Sequence, residues 1–452
     1  MTSSNKRITR RRFLATTAAA SAVTLAPPFI RSSRAAGKIS VAFWDHWVPG
    51  ANKTMEAICH EWAAQHKVDI TIDFITSQGN KLELTIAAEK LAKSGHDLVQ
   101  PGAWSPAAYA DDFEPVDDIM HAAIKANGKP YPIVEYLAQH KGHWVAAPAV
   151  TGSQVKPPCA RISMFKKFAD LDVTKMYAGP GEKSDKKLQD EWTWDKFLDV
   201  AEKCAKGGHP FGLGLSQTTD CVDWVGALFH AYGAELVNAK GDVTVNSDHT
   251  KRVLEYSQRL VKVLPKDVIA WDDASNNKFL ISGQGSLIMN PPSAWAVAKR
   301  DAPKVAEDCW TFASPKGPMG RYAPALPFFW AIWKWSPNKA AAKSLLAHLL
   351  TRQSAERFVA ASVGYDIPGF QGLRDFKTWA EVEPPKGTVY NYPPTPDQIV
   401  MVAGAPAPIH VANQIYTQGL MTQMIAKCSI QGQSVKDTIG WAENQLKAYT
   451  MM

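Results

Sequence analysis

The stretch ISVAFWDHWVPGANKTMEAICHEWAAQHKVDITIDF, residues 39–74, contains a strand pattern, a helix pattern and a second strand pattern in direct succession. Residues 39–44 are mostly apolar, whereas residues 68–74 alternate apolar with polar side chains, as in a strand with two unlike faces. Between them, apolar side chains recur at helical spacing over residues 52–66. This succession predicts a β-α-β unit in a parallel sheet.

The alternation of strands and helices continues beyond this unit. A helix is predicted over residues 82–92 and a short strand over residues 96–100, and a second α/β section begins near residue 150. The main signals in that section are Thr193 and Ser434 as helix N-caps, a strand over 211–216, a helical stripe over 253–264, a buried strand over 287–289 and a helix start at Ser336-Pro337. These patterns predict an α/β protein with a parallel sheet in its first section and a second α/β section after it.

The first 36 residues predict an export signal. Thr9-Arg10-Arg11-Arg12-Phe13-Leu14 fits a twin-arginine motif, a weakly apolar run follows to Ile30, and Ser33-Arg34-Ala35 supplies small residues for cleavage. Pro27 and Pro28 interrupt the apolar run, which disfavours a membrane anchor. We therefore expect residues 1–36 to be a cleaved signal and the mature protein to work in the periplasm.

The excess of basic over acidic residues lies within this predicted signal. The sequence has 50 Lys and Arg against 43 Asp and Glu, and residues 1–35 hold seven of the basic residues and no acidic one. A near-neutral mature chain without a basic run lacks the electrostatic signature of a nucleic-acid-binding protein. Its length is sufficient for two lobes. The six cysteines are scattered; an oxidising compartment permits disulfides, with Cys204 and Cys221 the pair nearest in sequence.

No motif for catalysis or metal binding stands out in the sequence. Zinc-protease, nucleotide-binding and serine-hydrolase motifs are missing, and Ser163-Met164-Phe165-Lys166 has none of the motifs that accompany a catalytic Ser-x-x-Lys. The acidic pairs Asp111-Asp112, Asp117-Asp118 and Asp272-Asp273 leave open an exported lyase or hydrolase. The lack of these motifs disfavours an enzyme without excluding one, and an exported carbohydrate-active enzyme stays open as the alternative.

Tryptophan is the over-represented residue, with 16 in the chain. Several of these residues adjoin polar side chains at the predicted ends of strands and helices. Aromatic rings in such loops suit stacking on the apolar faces of a sugar, while carboxylates and amides bind its hydroxyl groups. Large rings also anchor loops to a core, so the pattern supports some of these tryptophans in a cleft rather than all of them.

Six ordered motifs carry a resemblance to a known family. They are Phe43-Trp44-Asp45, Gly95-His96-Asp97-Leu98-Val99, Thr193-Trp194-Asp195-Lys196-Phe197, FLISGQGSLIMNPPSAW at 279–295, Ser336-Pro337-Asn338-Lys339 with Ala342, and Gly364-Tyr365-Asp366-Ile367-Pro368. In order and spacing, the chain resembles the extracellular solute-binding proteins of ABC transporters, in the carbohydrate group that includes maltose- and glycerol-phosphate-binding proteins. The sequence departs from that family at Pro158-Cys159-Ala160-Arg161 and at Leu326-Pro327-Phe328-Phe329-Trp330.

The resemblance implies a two-lobed periplasmic-binding-protein fold of type II, in which each lobe is a mostly parallel sheet flanked by helices, with three hinge crossings near residues 149, 286 and 332. It also implies a binding protein that is not an enzyme and has no catalytic residue, cofactor or metal. Lobe 1 would comprise 37–148 and 287–332, and lobe 2 would comprise 149–286 and 333–452. The protein would be a monomer that captures a carbohydrate or polyol between the lobes and delivers it to the transmembrane subunits of an ABC permease. A solute-binding sensor is the remaining alternative, and the departures leave the solute open among monosaccharide, oligosaccharide, polyol and sugar phosphate.

The same resemblance implies a set of ligand-binding residues drawn from both lobes. Trp44, Trp224 and Trp295 are expected to stack on the ligand, and Asp45, Asn80 and Asn290 to bind its hydroxyl groups. The full expected set is Trp44, Asp45, Trp47, Gln78, Asn80, Trp104, Asp220, Asp223, Trp224, Asn290, Trp295, Phe329, Trp330 and Tyr365.

Overall fold

The computed structural model describes residues 37–388, 394–395 and 397–451, so the predicted export signal lies outside the described residues. The strands are β1 Gly37–Trp44, β2 Val68–Ile75, β3 Leu98–Val99, β4 Gln139–His140, β5 His143–Trp144, β6 Ala147–Pro148, β7 Gln154–Val155, β8 Cys159–Arg161, β9 Leu287–Ile288, β10 Cys309–Thr311, β11 Lys316–Gly317, β12 Gly320–Leu326, β13 Phe329–Ile332 and β14 Gln398–Met401. The α-helices span Pro49–His66, Lys81–Ala92, Ser105–Ala108, Asp117–Asn127, Pro132–Ala138, Ile162–Ala169, Val173–Met176, Lys186–Glu191, Trp194–Lys206, Thr219–Tyr232, Asp248–Val261, Ser275–Ile281, Pro291–Asp301, Pro303–Ala306, Lys339–Leu349, Arg352–Ala361, Thr378–Glu381, Ile409–Thr417, Leu420–Ser429 and Val435–Thr450.

A five-stranded sheet in the order β2-β1-β3-β13-β6 forms the centre of the first unit. β1 pairs in parallel with β2 and β3, whereas β13 pairs antiparallel with β3 and β6. β1 lies inside the sheet and is buried from Val41 to Trp44, as expected of a strand with both faces covered. β2 lies at the edge and alternates between exposed and half-buried residues, which accounts for its alternating sequence.

Helices cover this first sheet with the faces that the sequence predicts. The helix Pro49–His66 buries Met55, Ile58, Cys59 and Trp62, and it packs on β2 and on the helix Arg352–Ala361. The indole Nε1 of Trp62 donates to Ser344 Oγ at 3.2 Å, which ties this helix to Lys339–Leu349.

The second unit contains two smaller sheets and a group of packed helices. One sheet has the antiparallel order β10-β8-β9, and in the other β12 pairs with β7, β11 and β14. The pairing is therefore mostly antiparallel here and mixed in the first unit, which corrects the expectation of mostly parallel sheets. The N-caps are as predicted: Thr193 Oγ1 accepts from the backbone N–H of Lys196, and Ser434 Oγ from that of Asp437. Residues 211–216 form no named strand, but Gly212 N–H donates to Leu287 O at 2.7 Å and keeps this segment beside β9.

Two segments of the chain lie in a different unit from the lobe in which they were expected. Residues 287–332 were expected in lobe 1, yet β9 and β10 both pair with β8 of the second unit. Residues 333–452 were expected in lobe 2, yet the helix Lys339–Leu349 packs on β1 and β13 of the first sheet. Because β13 ends at Ile332 and the helix follows within a few residues, the helix covers the sheet that contains β13.

Two chain segments pass side by side between the units. The Ala149 N–H donates to Phe328 O at 2.9 Å, and the Lys156 N–H donates to Pro324 O at 2.7 Å. The loop after Gly364 joins them, since the Ile367 N–H donates to Ser153 O at 2.9 Å. One passage therefore lies near residue 149. Residue 286, where another crossing was expected, lies beside β8 and is not a passage, because the Arg161 N–H donates to Ser286 O.

All six cysteines are buried and free, so Cys204 and Cys221 form no disulfide. Over the ranges that the structure describes, no helix combines the length and the apolar character needed to span a bilayer.

Candidate ligand-binding cavity

A cavity of about 440 Å³ lies between the two units. Residues of the first unit line one side, and residues of the second unit line the other. The lining consists of Trp44, Trp47, Ser77, Asn80, Leu82, Glu83, Gly102, Ala103, Trp104, Ser105, Ala108, Tyr109, Gln154, Gln217, Thr219, Asp220, Asp273, Asn277, Asn290, Ser293, Leu326, Phe328, Tyr365, Asn413, Tyr416 and Thr417. This volume is within the range of small-molecule sites, roughly 300–1,000 Å³.

Aromatic rings form one wall of the cavity. Trp44 ends β1, and its ring stacks on Phe328 with centroids 5.6 Å apart and lies 6.1 Å from the ring of Tyr365. Trp104 lies 5.8 Å from Tyr416, so this pair joins the first unit to the second. The indole nitrogens of Trp44 and Trp104 have no hydrogen-bond partner among the described residues.

A buried ion-pair network adjoins these rings and forms the polar end of the cavity. The ammonium group of Lys156, fully buried, donates to Asp220 Oδ1 at 2.6 Å and to Asp223 Oδ2 at 2.8 Å. Burial opposes the positive charge, but the two carboxylates outweigh it and raise the pKa of Lys156. Lys156 is therefore a cation whose charge is already paired. The second oxygen of Asp220 accepts from Asn276 and Asn290, and Asp223 Oδ1 accepts from the Tyr416 hydroxyl at 3.0 Å.

Asp273 brings a further carboxylate to the polar end. Its Oδ1 accepts from the Asp220 N–H at 3.2 Å and its Oδ2 from Thr219 Oγ1 at 3.3 Å, so it caps the helix Thr219–Tyr232. Much of its side chain is exposed, but that surface lines the cavity and protein atoms surround the carboxylate. This partial desolvation, together with the nearby Asp220 carboxylate, raises the pKa of Asp273 to about 6.

Glu83 supplies the third carboxylate of the lining, on the first unit. Its Oε1 accepts from the Gly102 N–H at 2.7 Å and its Oε2 from Ser105 Oγ at 2.5 Å. Burial raises the pKa of Glu83 despite these two hydrogen bonds. The carboxylate fixes the loop that carries Trp104, since both its donors flank that residue.

His46 supports the aromatic wall from behind. The Val48 N–H donates to His46 Nδ1 at 2.9 Å, so a neutral ring carries its proton on Nε2 and donates it to Asp366 Oδ1 at 3.1 Å. The imidazole lies 4.7 Å from both Trp44 and Tyr365, measured between ring centroids. The buried His46–Asp366 contact thus positions two rings that line the cavity.

A sequence profile described as bacterial extracellular solute-binding protein matches residues 57–384 of this chain. The chain belongs to this family. The resemblance drawn from the sequence motifs is therefore confirmed, and with it the expectation of a solute-binding protein rather than an enzyme. No curated protein sequence matches the chain significantly.

Solved structures of similar proteins confirm the fold of this solute-binding protein. Maltose-bound MalE3 of T. maritima is 17% identical with a TM-score of 0.70, and the match covers 91% of this chain and 99% of that one. A Thermotoga lettingae ABC-transporter solute-binding protein bound to α-D-tagatose is 16% identical with a TM-score of 0.71, covering 92% and 100%. An Arthrobacter chlorophenolicus sugar transporter with laminaribiose is 15% identical with a TM-score of 0.69, covering 91% and 99%.

Half of the expected site residues of this solute-binding protein line the cavity. They are Trp44, Trp47, Asn80, Trp104, Asp220, Asn290 and Tyr365. They come from the ends of strands, the starts of helices and connecting loops, where side chains of both units face the space between them.

The other seven expected residues lie elsewhere. Asp45 is exposed and accepts from Asn52, Gln78 is exposed outside the lining, and Asp223 is buried behind Asp220 against Lys156. The rings of Trp224 and Trp295 are enclosed by protein, and their indole nitrogens donate to Gly214 O and Pro384 O. Phe329 and Trp330 are fully buried in β13, inside the first sheet. Trp224 and Trp295, expected to stack on the ligand, therefore lie outside the cavity lining.

Sequence reasoning missed several lining residues. They are Glu83, Tyr109, Gln154, Gln217, Thr219, Asp273, Asn277, Ser293, Phe328, Asn413, Tyr416 and Thr417, besides smaller residues. For two of them the sequence contained a usable indication. Asp273 belongs to an acidic pair that was considered only for catalysis, and Phe328 lies where the chain departs from its family. The remainder are common residue types whose proximity depends on how the two units meet.

Proposed function

We propose that this protein is the substrate-binding component of an ABC importer and captures a carbohydrate or related polyol in the cavity. The observation that carries the proposal is a cavity lined by aromatic rings of both units. Several of its lining residues also have buried polar atoms with no hydrogen-bond partner among the described residues. These atoms are Trp44 Nε1, Trp104 Nε1, Gln154 Oε1 and Asn290 Oδ1. Sugars suit such a site, since their ring faces are apolar and their hydroxyl groups donate and accept.

The similar structures support the same class of solute. Maltose, tagatose and laminaribiose are bound by proteins that share this fold. By analogy, capture closes the two units around the solute and the closed form docks on a permease. Two contacts between the units are available for closure: the Trp104–Tyr416 ring pair and the hydrogen bond from the Tyr136 hydroxyl to Ala407 O at 2.5 Å.

The proposal extends to the location and the assembly of the protein. The twin-arginine motif would direct the chain to the periplasm, where the mature protein acts as a monomer and presents its solute to the transmembrane subunits of the permease. Solute capture and delivery need no catalytic residue.

A thermal-shift screen of the mature protein against sugars and polyols tests the proposal. A ligand that binds only the folded state stabilises it by about 2.7 kcal/mol at a hundredfold excess over Kd. We expect at least one carbohydrate to raise the melting temperature and to be recovered chemically intact by mass spectrometry after long incubation. Absence of any stabilising carbohydrate or polyol, or steady formation of a product, would contradict the proposal.

A further inference from the structure

The charged groups that line the cavity all have one sign. Glu83, Asp220 and Asp273 contribute three carboxylates, and the lining of the described residues holds no Lys, Arg or His. The internal residues outside the described ranges, 389–393 and 396, also contain none of these. Lys156, behind the lining, is paired with Asp220 and Asp223. Lys90, beside the ring of Tyr109, is paired with Asp112 at 3.9 Å.

The helix ends at the cavity also favour a positively charged ligand over an anion. The helix Thr219–Tyr232 begins there, but the Asp273 carboxylate already accepts from its Asp220 N–H. The helix Pro291–Asp301 begins with two prolines, which have no N–H to donate. The helix Lys81–Ala92 has Glu83 in its first turn. By contrast, Ile409–Thr417 places the last residue of a helix, with its negative end, in the lining.

Unpartnered atoms at the polar end are acceptors. Asn290 is buried and donates its amide N–H to Asp220 Oδ2, whereas its Oδ1 has no hydrogen-bond partner within the described part of the chain. Gln154 Oε1 is likewise buried and has no partner there. From the described residues, Asp273 accepts two long hydrogen bonds, at 3.2 and 3.3 Å, which leaves acceptor capacity on its carboxylate. An ammonium group has three donors and no acceptor, whereas a phosphate or carboxylate would add only acceptors. The described residues contain no group of ligands suited to a metal ion.

We infer that the solute carries a protonated amine that binds at Asp273, Asn290 and Gln154, and that it bears no phosphate or carboxylate. An aminated saccharide has this chemistry. The inference rests on the proposed function, because it names the class of solute for the same cavity. It also removes the sugar phosphates from the solutes that the sequence left open.

Calorimetry at pH 7.5 with two matched sugar series tests the inference. One series is cellobiose, its diamino analogue glucosaminyl-β-1,4-glucosamine, the N-acetylated form of that analogue and cellobiouronic acid. The other is glucose, glucosamine, N-acetylglucosamine and glucose 6-phosphate. We expect the amine to bind about tenfold tighter than its neutral and N-acetylated counterparts, equivalent to about 1.4 kcal/mol, and the phosphate and the uronate to bind weakest.

Substitutions at Asp273 and at its neighbour Asp272 test whether the Asp273 carboxylate causes the tighter binding of the amine. Asp273→Asn keeps one acceptor oxygen for the helix cap and should reduce the amine advantage to about twofold or less, while the matched variant Asp272→Asn, outside the lining, should preserve it. An anionic sugar that binds as tightly as its neutral counterpart, an amine no tighter than its N-acetylated form, or an unchanged ratio in Asp273→Asn would overturn the inference. In these cases neutral sugars still bind and the proposed function stands. If no member of either series binds, the inference fails, and the broader screen of sugars and polyols decides the proposed function separately.

Discussion

Trp44 and Trp224 are both buried, but only Trp44 lines the cavity. Trp44→Ala removes a ring from the binding wall, so we expect it to weaken solute binding by about 2 kcal/mol, or roughly thirtyfold in Kd. Trp224→Ala instead empties a site inside the second unit and should lower the unfolding free energy by about 3–5 kcal/mol. Calorimetry on the folded Trp44 variant and denaturant unfolding of both variants separate the two roles. A folded Trp44→Ala protein that binds within twofold of wild type would remove this ring from the site.

Asp273 is also expected to couple stability to pH. Its pKa in the folded protein is about 6, above its ordinary 3.8, so the folded state binds this proton more tightly than the unfolded state. The contribution of Asp273 to the unfolding free energy therefore rises as the pH falls through about 6 and levels off below about 4. The neighbouring charged and polar groups Lys156, Asp220, Asp223, Tyr365 and Tyr416 are the same in wild type and in an Asp273 variant, so a comparison of the two proteins isolates Asp273.

The difference between Asp273→Asn and wild type isolates this effect. The variant lacks the ionised carboxylate, so its melting temperature relative to wild type should be highest near pH 7.5 and decrease toward pH 4.5. Thermal unfolding at a series of pH values without ligand measures this difference, and a difference that does not vary with pH would contradict the assignment.

At the scale of elements, the helix Pro132–Ala138 of the first unit contacts the segment that precedes Ile409–Thr417 of the second. The contact is the hydrogen bond from the Tyr136 hydroxyl to Ala407 O. Tyr136→Phe removes this bond and should weaken the closed form by about 1 kcal/mol, or roughly fivefold in solute Kd. Calorimetry measures the affinity and small-angle scattering the closure.

A matched variant exists at the start of the same helix. The Tyr131 hydroxyl has no partner among the described residues, so Tyr131→Phe should leave the affinity unchanged. Equal effects of the two substitutions would show that the hydroxyl of Tyr136 does not contribute to closure.

For the whole molecule, the export route is a prediction from the sequence alone. Replacement of Arg10 and Arg11 by Lys keeps the charge but removes the guanidinium groups that a receptor would recognise. We expect the precursor of this variant to accumulate in the cytoplasm, as fractionation and immunoblotting would detect. The double variant Arg7→Lys, Arg31→Lys makes the same chemical change outside the motif and should be exported normally. Normal delivery of the Arg10, Arg11 variant would refute the route.

Much of the fold could be predicted because it depends on local patterns. The amphipathic helix over 52–66 and the caps at Thr193 and Ser434 follow from side-chain spacing and short-range hydrogen bonds. The boundaries between the units could not be predicted in this way. They depend on which strands pair, and the pairing of β9 with β8 joins residues far apart in the chain.

The sequence by itself determined the α/β class, the succession of the first strands and helices, and the family, because periodicity and ordered motifs are properties of the chain. Only the tertiary structure decided the site. Trp44, Trp224 and Trp295 have similar sequence surroundings, yet the packing of the two units exposes the first to the cavity and encloses the other two. Lys156 and Asp273 meet Asp220 through the fold alone, so the excess of negative charge at the polar end arises from contacts between distant segments.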